Sequence, residues 1–388
     1  MQFADVIGLS GVKDKLISGV KEGRIAHAQL FMGQPGSGNL ALALAYLQYI
    51  ACSDRKSDDS CGACPSCRKI ARLEHADLHL VYPIILSKET RISSDLVKEF
   101  REAFLQNPYL SLFEWLSFLE GENKQGVINV EESADILRKL SLTAYEGGYK
   151  MMIIWQPEKM NVQSANKLLK ILEEPPDKTL FLLVTENADQ LLPTIVSRTQ
   201  LVKVNRIADE DLRDALVARH GLGKEEAERI AYLADGSYSE ARQLLSGSSD
   251  ESLPAGQAGF NFIQFRAWMR LCFTKDVLKA QQWVEGFAAE GREKHKNFVA
   301  YALNVVREAL MLNFGDDRLV RLQGEELDFV RKFAPYIHGE NCMQITDEFN
   351  RAIQHIERNA NPKILFTDLS MKMMALLRQP VGSSELKA

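Results

Sequence analysis

Short, almost purely apolar runs alternate with amphipathic stretches over the first two hundred residues of this chain. The runs Ala28–Met32, 78–82, Lys150–Trp155, 180–185 and 201–204 read as strands covered on both faces, where a polar residue on either side would be buried without a partner. Between them apolar positions recur at helical spacing over 11–22, 94–119, 130–140 and 164–172, the last stopped by Pro175-Pro176. This order predicts an α/β domain on a parallel sheet over residues 1–205. After 205 the strands cease. Helical patterns around 212–217, 227–233 and up to Leu245 predict a small helical domain over 206–248, and Gly247-Ser248-Ser249 with Pro254-Ala255-Gly256 predicts a flexible connection.

From 257 to 388 the pattern is helical almost throughout. Phe298, Tyr301, Ala302, Val305, Ala309 and Leu312 fall on one helix face, as do Phe349, Ile353 and Ile356 before Asn361-Pro362 breaks the run. A last helix over 365–377 carries Met371, Met373 and Met374. Such stripes are first of all core, with a subunit interface as the minor alternative.

The strand Ala28–Met32 runs into Gly33-Gln34-Pro35-Gly36-Ser37-Gly38-Asn39-Leu40 and then a helix. Gly33, Gly36 and Gly38 are set out as in a phosphate-binding loop, G-x-x-x-x-G-K-[ST]. Asn39 stands where the phosphate-binding lysine belongs, and Leu40 where the Mg2+-binding hydroxyl belongs. The strand Lys150–Trp155 ends in Trp155-Gln156-Pro157 without a carboxylate for a metal, and Glu158 comes too late for the strand tip. Two separate losses predict an ATPase scaffold with no ATP in its own site.

Cys52, Cys61, Cys64 and Cys67 form two overlapping C-x-x-C steps with a fourth thiol nearby, inserted after the loop's helix. That spacing, with small Gly62, Ala63 and Ser66 and turn-forming Pro65 between, suits a closed four-thiolate Zn2+ site with a structural role. Disulfides are the alternative, disfavoured in a reducing compartment and cramped by the spacing. His75 and His79 lie just beyond, where four complete thiols make them unnecessary. Cys272 and Cys342 read as small buried hydrophobes.

Composition narrows the classes. A net charge of -5 and a pI near 5.9 argue against capture of nucleic acid by phosphate neutralisation alone. No apolar run approaches the ~20 residues that cross a bilayer, and the opening residues lack the regions of a signal peptide, which predicts a cytoplasmic protein without membrane contact. Ser164, Lys167 and Lys170 read as a solvated helix face.

These residues, taken with Ile7-Gly8, His75-Ala76-Asp77-Leu78, Glu146-Gly147-Gly148-Tyr149-Lys150, Ala165 through Leu172-Glu173-Glu174-Pro175-Pro176, and Leu192-Pro193-Thr194-Ile195-Val196-Ser197-Arg198, resemble the delta-prime subunits of bacterial DNA polymerase III clamp loaders, within the AAA+ superfamily. The resemblance is dense over the N-terminal two thirds and rests on helical character and Asn359-Ala360-Asn361-Pro362 beyond. It implies an AAA+ P-loop-type domain over 1–205 with a zinc insertion over 52–67, a helical lid over 206–248 and a helical oligomerisation collar over 257–388. It implies a subunit that does not hydrolyse ATP, acts as a rigid stator and projects Arg198, with Ser197, into the ATP site of a neighbour. Thr199 replaces the family's usual cysteine, and Ser239 falls where an active relative carries a sensor arginine. The implied partners are gamma or tau and delta subunits, with the sliding clamp and primer-template DNA met through the assembly. Two alternatives stay open: an active AAA+ ATPase of replication or repair, and a zinc-dependent nucleic-acid-binding module.

Overall fold

The structure is a computed structural model that describes residues 1–119, 124–146, 148–246, 256–315, 320–322 and 324–379. The chain divides into two compact units, Met1–Ala241 and Arg242–Ala388. In the first, β1 (Ala28–Met32), β2 (Leu78–Val81), β3 (Lys150–Trp155), β4 (Thr179–Thr185) and β5 (Gln200–Lys203) form one five-stranded sheet in the order β2-β3-β4-β1-β5. The strand pairings of this sheet are all parallel, with Ala28 opposite Phe181 and Met32 opposite Thr185 at the centre. The central strands are apolar because both faces are covered: all of β3 and β4 is buried, whereas the edge strand β5 is largely exposed.

Helices α1 (Ser10–Lys21), α2 (Asn39–Ala51) and α3 (Pro65–Ala71) precede β2; α4 (Val97–Gln106), α5 (Leu112–Phe118) and α6 (Val130–Ser141) lie between β2 and β3. Next come α7 (Val162–Glu173), between β3 and β4, and α8 (Pro193–Val196), between β4 and β5. Phe31, Leu44, Tyr82, Phe100, Trp115 and Trp155 belong to a core on one face of the sheet, and Leu30, Ile136, Ile154, Leu168 and Phe181 to one on the other. The parallel sheet with helices on both faces, the cysteine insertion and the helices that follow are the α/β-then-helical order expected from the sequence.

One expected element is divided. The helical pattern over 94–119 breaks between α4 and α5 because Pro108 has no N–H to donate and clashes with the preceding turn. Asn107 Oδ1 instead accepts Tyr109 N–H at 3.1 Å, and Ser111 with Glu114 forms the capping box that restarts the helix.

Helices α9 (Asp209–His220) and α10 (Lys224–Leu233), and α11 (Tyr238–Ser246) as far as Ala241, belong to the same compact unit as the sheet. Acidic Asp209, Glu210 and Asp211 open α9, and Arg219 and His220 close it, complementing the helix dipole. Of the expected connection, 247–255 lies outside the described residues, as does Gly147 of the Glu146–Lys150 motif.

In the second unit α12 (Gly256–Thr274), α13 (Val277–Phe287), α14 (Arg292–Asn313), α15 (Gly324–Phe333), α16 (Gly339–Glu357) and α17 (Pro362–Leu376) enclose a separate core. Phe298, Val305, Ala309, Phe349, Ile356 and Met373 are buried there, so most of the stripes are core. Met371 and Ile364 remain exposed on α17.

Candidate functional site

The carboxyl ends of β1, β3 and β4 lie side by side, the place where open α/β sheets bind ligands. Gly33 to Gly38 leaves β1 there and enters α2 with Gly36 and Gly38 at positive φ. Both glycines are required by contact as well as by conformation. A Cβ on Gly38 would lie 2.6 Å from the ring of Tyr109, and one on Gly36 would lie 2.9 Å from Cβ of Ser239.

Asn39 is buried. Its Nδ2 donates to the carbonyls of Gly33 and Thr185, both at 3.3 Å, and its Oδ1 accepts Leu40 N–H at 2.9 Å. One neutral amide thus satisfies carbonyls beside the loop and an N–H at the helix start. Leu40 is 4% exposed and belongs to the core. Ser37 is fully buried, and its hydroxyl donates back to Gln34 O at 2.7 Å.

Glu158 stands differently from its place in the sequence. Gln156 adopts left-handed backbone and Pro157 starts a tight turn, so the carboxylate folds back to the tip of β4. It accepts from Thr185 Oγ1 at 2.9 Å and from Glu186 N–H at 3.2 Å, while desolvation holds its carboxyl above the usual range. The sheet tips therefore carry a carboxylate that the order of residues did not suggest. It has no lysine beside it at position 39.

Cys52 follows α2, Cys64 caps α3 and Cys67 lies in the first turn of α3. The sulfur atoms of Cys52, Cys61, Cys64 and Cys67 all lie within 4.8 Å of one another, and Cys61 and Cys67 are 4.0 Å apart. Zn–S bonds of about 2.3 Å in a tetrahedron need sulfurs roughly 3.8 Å apart, so the donor set closes on such an ion with side-chain shifts of about 1 Å or less. Backbone N–H groups point at the sulfurs: Cys61 N to Cys52 at 3.3 Å, and Ala63 N and Cys64 N to Cys61 at 3.4 and 3.3 Å. Burial alone would raise the Cys64 thiol, but donors from Cys67 and Ser53 outweigh it and bring it to about 6.

His75 and His79 are not among these ligands. His75 is buried, with Nε2 3.4 Å from Glu146 and Nδ1 accepting Asp77 N–H. Asp77 in turn accepts the N–H groups of Tyr145 and Glu146 at 2.7 and 2.8 Å. Two of the motifs quoted above thus hold one another in place.

Arg198 leaves the end of α8. Its Nε donates to Glu173 Oε1 at 2.7 Å, a second nitrogen pairs with the same carboxylate, and the third donates to Thr194 O at 3.0 Å. About a third of the side chain is exposed. Ser197 is exposed and donates to Thr194 O, and the Thr199 hydroxyl tops the turn by donating to the carbonyls of Ile195 and Val196. Ser164, expected on a solvated face, is instead fully buried and donates to Asn129 O at 2.5 Å. Lys167 and Lys170 are exposed as expected.

Sheet, loop and insertion together define a protein of the P-loop α/β class whose loop lacks its cation and which carries a four-thiol knot. Residues 9–208 match the sequence model described as "DNA polymerase III, delta subunit", and the chain belongs to that family, with relatives among the delta-prime subunits. It is 29% identical to DNA polymerase III subunit delta' of Bacillus subtilis over 202 residues, 52% of this chain and 49% of that one. To DNA polymerase III subunit tau of Escherichia coli it is 27% identical over 319 residues, 80% of this chain and 42% of that one. The chain spans about half the length of the curated relatives it matches. Among solved structures, the RuvB Holliday junction branch migration motor of Thermotoga maritima aligns with 62% of each chain at 16% identity and a TM-score of 0.36. No helix among the described residues is long and apolar enough to cross a membrane.

Tyr109, Glu158 and Glu173 are the residues of this region that the sequence reading left without a role. Pro108 was the signal for the first, since it forces a loop where Tyr109 turns inward. The left-handed Gln156 before Pro157 returns Glu158 to the sheet, and neither periodicity nor spacing encodes that.

Proposed function

We propose that this chain is a delta-prime-type subunit of a DNA polymerase III clamp loader: it leaves ATP hydrolysis to its neighbours and lends one of them Arg198. The observation that carries the reading is Asn39, whose buried amide is fully engaged with Gly33, Thr185 and Leu40 where an ATPase holds a free ammonium. Leu40, packed in the core, cannot bind Mg2+. In this reading 1–205 is the AAA+ domain, 206–248 its lid and 257–388 the collar through which gamma or tau and delta subunits assemble, and the sliding clamp and primer-template DNA are met by the complete assembly in the cytoplasm. The four thiolates hold a structural Zn2+, a closed site that supplies no open position for water.

Arg198 suits transfer to a neighbour's nucleotide because its present partner is an exposed carboxylate. Exposed ion pairs contribute about 0–1 kcal/mol, so phosphate oxygens carrying more charge readily displace Glu173. In a reconstituted assembly, Arg198→Ala is expected to leave co-purification intact and lower DNA-stimulated ATP hydrolysis, toward the ~10³-fold or more that arginine fingers contribute where chemistry limits. Unchanged hydrolysis per neighbouring subunit would overturn the assignment.

A further inference from the structure

We propose that Tyr109 is the resident occupant of the degenerate loop, a side chain fixed where a motor of this class holds its nucleotide, so that the helical segment after β5 is fastened to the sheet without any ligand. The inference rests on reading Gly33–Asn39 as a former nucleotide seat.

Tyr109 is 2% exposed and arrives from the break between α4 and α5, which Asn107 locks by accepting Tyr109 N–H and donating to Glu114 at 3.1 Å. Its ring packs on Gly38, at the start of α2, where backbone N–H groups and the helix dipole otherwise favour an anion. Its hydroxyl accepts Ile7 N–H at 2.7 Å, tying in the N-terminal segment. Its ring meets Tyr238 edge-on with centroids 4.8 Å apart.

Tyr238 belongs to the helical segment, and its own N–H donates to Gly36 O at 2.9 Å. The neighbouring Ser239 hydroxyl donates to Glu114 at 2.7 Å, and Arg219 of α9 lies 5.3 Å over the Tyr238 ring while donating to Asp5 O. Thus the N-terminal segment, the loop and the helical segment converge on one phenol ring. In a nucleotide motor a hinge between such parts closes around bound ligand and opens when it leaves. Here the joining group is part of the chain, which gives a permanent joint and sets Tyr109 against Gly38 and Ser239 against Gly36, where a phosphate would approach the loop.

The test is hydrogen exchange on the full chain, for the wild type, Tyr109→Ala and Tyr109→Phe, with and without millimolar Mg-ATP. Tyr109→Ala is expected to raise exchange about tenfold or more, together, in residues 5–9, 33–39 and 236–241, leaving β3 and β4 protected. Tyr109→Phe keeps the ring and is expected to raise exchange only around Ile7. Wild-type protection over 33–39 is expected to be the same with ATP as without. The proposal is overturned if Tyr109→Ala leaves 236–241 unchanged, if exchange rises equally across the whole unit, or if ATP protects the wild-type loop. The Arg198 measurement is made in the assembly and reads a neighbour's site, so either result can fail while the other stands.

Discussion

Asn39 does with one neutral amide what a lysine and a phosphate do together in a working loop: it donates to nearby carbonyls and accepts the N–H that opens the helix. Because hydrogen-bonded neutral groups are far cheaper to bury than an unpaired ammonium, the loop keeps its shape without ligand. His79 shows the same burial rule acting on a titrating group. Half-buried on β2, its imidazole is lowered to about 4, first by desolvation and then by Lys139, with Asp77 and Asp135 opposing and Lys150 adding. The unfolded chain binds that proton near pH ~6.5. Between these values the unfolded state carries the extra proton, so stability falls as pH drops through this window. His79→Gln is expected to reduce the fall in thermal midpoint measured between about pH 7 and pH 4.5; an identical fall in both proteins would show that His79 does not contribute.

At the scale of elements, the cysteine insertion acts on more than its own loop. Gln2 Nε2 donates to Ser60 O at 2.6 Å, and Asp59 accepts the N–H groups of Phe3 and Ala4 at 3.0 and 2.9 Å. These bonds fix the tight turn Phe3–Asp5, whose Asp5 carbonyl takes Arg219. Metal removal is therefore expected to loosen the N-terminal segment as well as the knot. Cys64→Ser, or exhaustive chelation, should remove whatever metal the four thiols hold and lower the thermal midpoint by at least about 5 °C, with ordinary helix content remaining by circular dichroism. An unchanged midpoint after complete removal would mean that the thiols carry no structural load.

At the scale of the molecule, each unit has its own core, so each should fold without the other. Residues 1–246 are expected to keep their cooperative unfolding and bound metal but to lose co-purification with partner subunits, which the collar assignment requires. Retained assembly by this fragment would place the contacts in the first unit. The sequence by itself determined the five strands, most helices, the four thiols and the loss of the ammonium at position 39 and the hydroxyl at position 40, because burial periodicity and ligand spacing are local properties of the chain. It overran the break at Pro108, placed Ser164 on the surface and set Glu158 too far from the sheet. Only the tertiary structure decided that Tyr109 covers Gly38, that Glu158 returns to Thr185 and that Arg198 rests on Glu173. Those partners are between 25 and 71 residues apart along the chain, and no local pattern selects among distant groups until the parallel sheet has brought its strand ends together.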